Sequence, residues 1–350
     1  MPSSRPAGEG EDSEDLSGGG VEERIAPSDA ARVFALAGAT FLLHLALEHL
    51  PFYGGLFGVM GAAVGLFAPA PAIQVFLRWG VRVGVAALVG VALAVGWAGG
   101  WGSSLQFLAS TGVIAWMLSL AIVARRPVEM AVLWSVLGAA AGLGVLYAVE
   151  GLGMGGGLMA PPSPETDEGL RQLPGVVQGI DREEIERLVR IIGRLTPAVA
   201  LMHATLISLL NYTLIRRVWH LRGAAALFPP GELSRWSMPE PAVWALIASA
   251  VSMFFYRGGS FFWVISNVLL ILLFGYFLQG LAIFHYLFRK YAIAVAFRIP
   301  LYFIAVTFSY VVAAFGLFDL WFDFRKIRTV PPSPDDHDAD GEAAEEEEPR

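Results

Sequence analysis

Cysteine is absent from this chain. That excludes disulfides, thiolate metal sites and cysteine nucleophiles. Charge is scarce, with Asp, Glu, Lys and Arg making up 16% of residues against about a quarter in a soluble domain. No G-x-x-x-x-G-K-[ST] phosphate loop occurs, so hydrolysis of ATP by that route is excluded. A G-x-S-x-G elbow is also missing, and no motif calls for a cofactor. The N-terminus has no basic region beside a short apolar one, so the first apolar run is expected to be an uncleaved anchor.

What the chain has instead is oil. Hydrophobic residues make up 55% of it. Between Arg32 and Arg328 lie about nine apolar runs, most near the ~20 residues that cross a hydrocarbon core as a helix. They cover about Ala31–Leu50, Tyr53–Phe76, Val83–Trp97, Ser104–Ala124 and Met130–Val149, then a stretch from Thr196-Pro197 to Arg216, and finally Pro241–Tyr256, Phe261–Leu287 and Pro300–Phe318. Basic clusters fall in every second gap: Arg78 with Arg82, Arg125 with Arg126, and Arg216 with Arg217 and Arg222. This alternation follows the positive-inside bias. The expected fold is an all-α, polytopic helical bundle in a bacterial inner membrane, with the lipid bilayer as its first partner and the N-terminus cytoplasmic.

The last runs allow eight or nine crossings. If Pro241–Tyr256 crosses, Arg325, Lys326 and Arg328 end outside; if it only dips in, Arg289, Lys290 and Arg298 do. The net charge of −7 divides unevenly, with −13 on residues 1–28 and 331–350 together and +6 on residues 29–330. A basic body suits anionic lipid. Its charges sit at helix ends rather than on one face, so nucleic acid is not expected. Both acidic tails lack the apolar surface to offset ordering entropy and read as disordered.

Three local features stand out. Pro69 and Pro71 fall inside the second run, which predicts a kinked or broken helix. Residues 151–193 form an extramembrane loop rich in Gly and Pro. Within it, Asp181-Arg182-Glu183-Glu184 resembles a capping box, and Ile185, Leu188, Val189 and Ile192 follow at helical spacing. That predicts a short amphipathic helix over 181–192, lying on the membrane surface or packed on the protein. Glycines four apart, such as Gly80-Gly84 and Gly138-Gly142, allow close helix contact in lipid.

Polar groups inside a bilayer are costly, so each is a candidate for function. His44 and Glu48 share one face of the first run. With His49 they read H-x-x-x-E-H, one residue longer than the inverted zincin pattern, which leaves a hydrogen-bonded cluster as the better account than a metal site. His203 and Asn211 lie on one side of the sixth run, and Asn267 and Gln279 on the eighth. These residues either join helices by hydrogen bonds or line a polar pocket, built from the first, sixth and eighth runs, for a small solute. Asp319, Trp321, Asp323 and Arg325 follow the last apolar run. They read as an interfacial belt or as a docking surface for a partner protein, with Asp323 in reach of Lys326.

Four segments together resemble the YybS-like family of bacterial membrane proteins of unassigned function. They are Pro69-Ala-Pro71 leading to Arg78-Trp-Gly-Val-Arg82, Asn211-Tyr-Thr-Leu-Ile-Arg-Arg217, Leu278-Gln-Gly-Leu-Ala-Ile-Phe-His285, and Gly316-Leu-Phe-Asp-Leu-Trp-Phe-Asp-Phe-Arg325. The resemblance implies a membrane core similar to the substrate-capturing subunits of energy-coupling-factor transporters. Ala31, Ala35 and Ala39 match the small-residue spacing those subunits carry on the first helix. A solute-binding or transport-associated subunit is therefore expected, working with a membrane or ATPase partner subunit. A scaffold that recruits partner proteins is the alternative.

Overall fold

Helix accounts for nearly all the ordered secondary structure, because lipid offers no water to unpaired backbone groups. The computed structural model describes residues 27–49, 55–151, 182–223, 227–228, 236–256 and 258–325. Among the described residues there is no strand, and six stretches are long and apolar enough to cross a membrane, or seven if one bent pair is a single span. Large side chains such as Phe34, Leu42, Leu93, Trp97, Phe254 and Phe303 point outward. In water that would be a liability; here it is the lipid face of a multi-pass membrane protein.

Helix α1 covers Pro27–His49, α2 Gly55–Gly65 and α3 Pro69–Gly99. The second run is broken rather than kinked, with α2 ending at Gly65 and α3 opening at Pro69. Pro69 stands at the start of α3, where a missing N–H costs nothing. The joint is tightened by short bonds, Ala68 N–H to the Gly65 carbonyl and Ala70 N–H to the Phe67 carbonyl.

The sharp break lies further on. At Gly80 the backbone takes φ 84° and ψ 175° inside α3, and a Cβ on Gly84 would strike the ring of Phe76. Residues eight apart touch only if the chain folds back, so α3 is two arms joined at one glycine. Arg78 and Arg82 flank that reversal, as the charge pattern requires.

The same device recurs at Gly100, with φ 88° and ψ 173°. There Ser104 Oγ donates to the Ala92 carbonyl, twelve residues back, at 2.6 Å. This region of φ,ψ is open to glycine and almost nothing else.

After Gly100 come α4 Trp101–Phe107, a π-helical segment Leu108–Gly112, and α5 Val113–Val123. Helix α6 spans Val128–Gly151 and α7 spans Arg182–Leu221. Of the amphipathic helix expected over 181–192, the described part is the first quarter of the 40-residue α7, which continues through Pro197, while Asp181 lies outside the described residues. Residues 152–181 and both tails lie outside the described residues.

The principal core joins Phe76, Leu88, Val95, Phe107, Leu118 and Ile215, from α3 through α7. A second, smaller core unites α8 Pro241–Phe255, α9 Gly259–Lys290 and α11 Ser309–Phe322 around Leu246, Tyr276 and Ala313. The final apolar run is not one helix. It is split into α10 Val295–Thr307 and α11, bent by 93°. Helix α8, with 15 residues, extends about 22 Å at ~1.5 Å per residue, short of a core about 30 Å thick.

A π-helical turn between a His–Glu pair and a cavity

Two polar neighbourhoods meet at the π-helical segment. On its inner side, His44 is 4% exposed and Thr111 is 2% exposed. His44 Nδ1 lies 3.3 Å from Thr111 Oγ1, and its Nε2 faces Glu48 Oε2 at 3.6 Å. The Phe107 ring meets the imidazole edge-on at 4.9 Å. Ser103 Oγ sits 3.3 Å from Glu48 Oε1 and 3.1 Å from the Gly99 carbonyl, its one hydrogen shared between them. The i, i+4 spacing on α1 aims His44 and Glu48 the same way. The reversal at Gly100 returns the chain so that Ser103, Phe107 and Thr111 meet them.

The π turn is held from outside by α6. A Cβ on Gly142 would lie 2.6 Å from the Ala109 carbonyl, so only a glycine lets the α6 backbone come this close. Ser110 Oγ donates to the Gln106 carbonyl at 2.7 Å. On this outer side a cavity of about 160 Å³ opens between the π turn, α6 and α7. Gln106, Ser110 and His203 are its polar lining, with Leu143, Leu146 and Leu201 among the apolar walls. His203, exposed on α7, is the one ionisable side chain among them.

The other sequence candidates join helices. Asn211, fully buried, donates through Nδ2 to the Leu66 carbonyl at 2.8 Å and to Ile207 O at 2.7 Å. Leu66 O needs that donor, because Ala70 N–H has gone to Phe67 O. Asn267 works the same way on α7. Its Oδ1 accepts from Ala198 N–H at 2.9 Å while its Nδ2 donates to Arg194 O at 2.9 Å. Pro197 lacks the N–H that would bond the Gly193 carbonyl, and the Asn267 amide bonds the turn on either side of it, at Arg194 and Ala198.

Gln279, on α9, accepts from Met238 N–H at 2.9 Å and donates to Asp319 Oδ2 at 3.1 Å. Asp319 and Arg325 form a buried ion pair at 2.7 Å. Arg325 also donates to the Trp236 carbonyl at 2.7 Å, and Asp319 Oδ1 accepts from Phe324 N–H at 3.0 Å. Below this cluster, α9 and α11 touch backbone to backbone, with Gly316 against the Tyr276 carbonyl and Gly280 against the Val312 carbonyl.

Trp321 is 61% exposed, and Asp323 ends α11 in a left-handed conformation at φ 41°. Lys326 lies outside the described residues. A family described as predicted membrane protein (DUF2232) matches residues 50–320. The chain belongs to this family. No curated protein and no solved structure matches it. The span matched to DUF2232 holds the π turn, the cavity and both asparagine bridges. It starts after α1, so His44 and Glu48 lie outside it.

One pocket built from the first, sixth and eighth runs is not what the chain forms. His44 and Glu48 meet the fourth run, His203 lines a separate cavity, and Asn211, Asn267 and Gln279 each bridge a different helix break or junction. Sequence reasoning passed over Ser103, Gln106, Ser110 and Thr111. Serine and threonine are common in apolar helices, and only the π geometry sets these apart.

Proposed function

We propose that this protein is a solute-binding, transport-associated membrane subunit, and that its solute site is the cavity beside the π turn. The observation that carries the reading is the π-helical segment itself. One residue too many in a turn misaligns the backbone ladder, and such turns concentrate at functional sites. Here it shows Ser110 and Gln106 to a cavity that also contains His203. A space of about 160 Å³ is of the order that accepts a benzene-sized molecule. The ligand is thus small and largely apolar, with one or two hydrogen-bonding groups for His203, Ser110 and Gln106 to orient. The sequence has no phosphate loop, so energy for transport comes from a partner subunit, as the resemblance to substrate-capturing subunits implies. The charge alternation supports a bacterial inner membrane with the N-terminus inside.

The test is a thermal-shift screen of small metabolites on the protein in nanodiscs. A ligand at 100-fold over its Kd adds about 2.7 kcal/mol of stability. Leu201→Trp, which fills the cavity, should abolish the shift, and His203→Ala should weaken it at least tenfold. A ligand whose shift survives both substitutions binds elsewhere and overturns the assignment. So does a screen in which nothing binds.

A scaffold role has its own support in the acidic tails and in the exposed Trp321 at the end of α11. It predicts that deleting residues 331–350 changes which proteins co-purify after cross-linking in native membrane. An unchanged set removes that version.

A further inference from the structure

We infer that a groove between α1 and the second arm of α3 holds one acyl chain of an anionic glycerophospholipid, with the headgroup at Arg32 and Arg82. The groove has a volume of about 510 Å³ and shares no residue with the cavity beside the π turn. Its lining is entirely apolar, and Ala30, Ala37 and Gly38 on α1 with Ala86, Ala87 and Gly90 on α3 make it a slot. These small residues do not serve close helix packing within the chain. A Cβ on Gly84, Gly142 or Gly316 would strike a neighbour, whereas a Cβ on Gly38 or Gly90 would meet nothing within 4 Å. An empty slot forfeits the dispersion contacts of its walls, and in a bilayer the surrounding hydrocarbon fills it.

Length and charge decide the occupant. Ser103 Oγ touches both Glu48 and the Gly99 carbonyl, which puts the C-terminal ends of α1 and α3 together and Ala30 and Val83 at the other end. From Val83 to Ala94 the groove extends about 16 Å at ~1.5 Å per residue, one leaflet of a core about 30 Å thick. On α1 the lining ends at Phe41. One turn further on that face stands His44, against which the Phe107 ring packs edge-on. A crossing helix from a partner would need a track about twice as long; an acyl chain needs one leaflet. The Val83 end is basic. Helices α1 and α3 carry Arg32, Arg78 and Arg82 there against a single acid, Asp29, which lies 3.3 Å from Arg32. Arg32 and Arg82 are both exposed. The Arg78 guanidinium lies over the Trp79 ring at 5.0 Å, and tryptophan beside arginine suits headgroup depth. The planar arginine fork matches a phosphate group. An apolar slot one leaflet long with arginines at its mouth is complementary to an anionic phospholipid.

The experiment uses the full chain in detergent, titrated with phosphatidylglycerol or phosphatidylcholine of identical acyl chains, with bound lipid counted by native mass spectrometry. The wild type should bind phosphatidylglycerol at least tenfold more tightly. Arg32→Gln and Arg82→Gln should each weaken that binding about fivefold, the ~1 kcal/mol of an arginine near an anionic surface, and leave phosphatidylcholine unchanged. Gly90→Phe, placed in open space, should weaken both lipids at least tenfold. A phosphatidylglycerol with a photoreactive chain should label residues 33–41 and 83–94 of the wild type, a readout that needs no variant. Equal affinity for the two lipids, or no effect of either arginine substitution, overturns the headgroup assignment. Label confined to other residues, or undiminished binding in Gly90→Phe, overturns the groove. The chain has no cysteine, so Gly90→Cys supplies a single one. A disulfide-linked dimer on oxidation in native membrane would make the occupant a second copy and overturn the lipid; a chain that stays monomeric supports it.

Discussion

Removing the Asn267 amide should damage α7 only because Pro197 is there. In Asn267→Ala, Ala198 N–H and Arg194 O lose their bonds to the amide, 2.9 Å each, while the third bond, to Trp263 O in the same helix at 2.7 Å, joins no helices. Hydrogen bonds between membrane helices are worth about 0.6 kcal/mol on average and ~1.7 at most. The Arg194 guanidinium stacks over the Trp263 ring at 4.9 Å, a pairing typical of the membrane surface, where water competes. Two bonds at the lower value give a loss of about 1–2 kcal/mol, a drop of a few degrees in Tm for a protein of this size.

The decisive comparison is the same substitution in a Pro197→Ala background. There residue 197 regains an N–H for the Gly193 carbonyl, and the turn no longer leans on the Asn267 amide. Asn267→Ala should then cost about 0.5 kcal/mol or less. The assay is the double-mutant cycle, by reversible unfolding or by Tm in one lipid environment. Equal losses in both backgrounds, within the ~0.5 kcal/mol expected of independent sites, would refute the bridge.

Three further outcomes follow from the geometry. Gly80→Ala and Gly100→Ala should each lower stability by about 1–3 kcal/mol, the cost of a side chain in that conformation; Gly90→Ala, in open space on a regular helix, should not, and Tm series on the three variants checks it. Replacing Arg325 by Met leaves Asp319 buried without its partner and should cost about 3–5 kcal/mol, whereas Asp319→Leu with Arg325→Met should recover much of it, as read by chemical unfolding. A periplasm-dependent reporter enzyme fused after Arg328 should be active if α8 crosses and silent if it dips in and returns.

Much of the fold was open to reading from one chain. A hydrocarbon solvent demands long apolar helices, and the arginines mark their ends, so the class and most of the runs could be placed. The breaks could be placed as well: Pro69 and Pro71 marked the one between α2 and α3, and the gaps after Phe76 and Trp97 hold Gly80 and Gly100. What the gaps did not show is that single glycines make the reversals. A capping box at Asp181 suggested a separate helix, but α7 runs on through Pro197, with an asparagine 70 residues later bonding the turn on either side of it.

The candidate residues divide along the same line. Residue type alone made His44, Glu48, Asn211, Asn267, Gln279 and Asp319 worth naming, since a polar group in lipid needs a partner. Which partner it finds depends on which helices the glycine reversals bring side by side. That is a long-range property, with contacts such as Asn211 to Leu66 and Arg325 to Trp236 spanning 145 and 89 residues. Composition and periodicity therefore determined the solvent, the helices and the polar groups that had to be satisfied. Only the packed structure decided that some of those groups bridge broken ladders and that others converge on a single π turn, because satisfaction in lipid is settled by neighbours in space rather than in sequence.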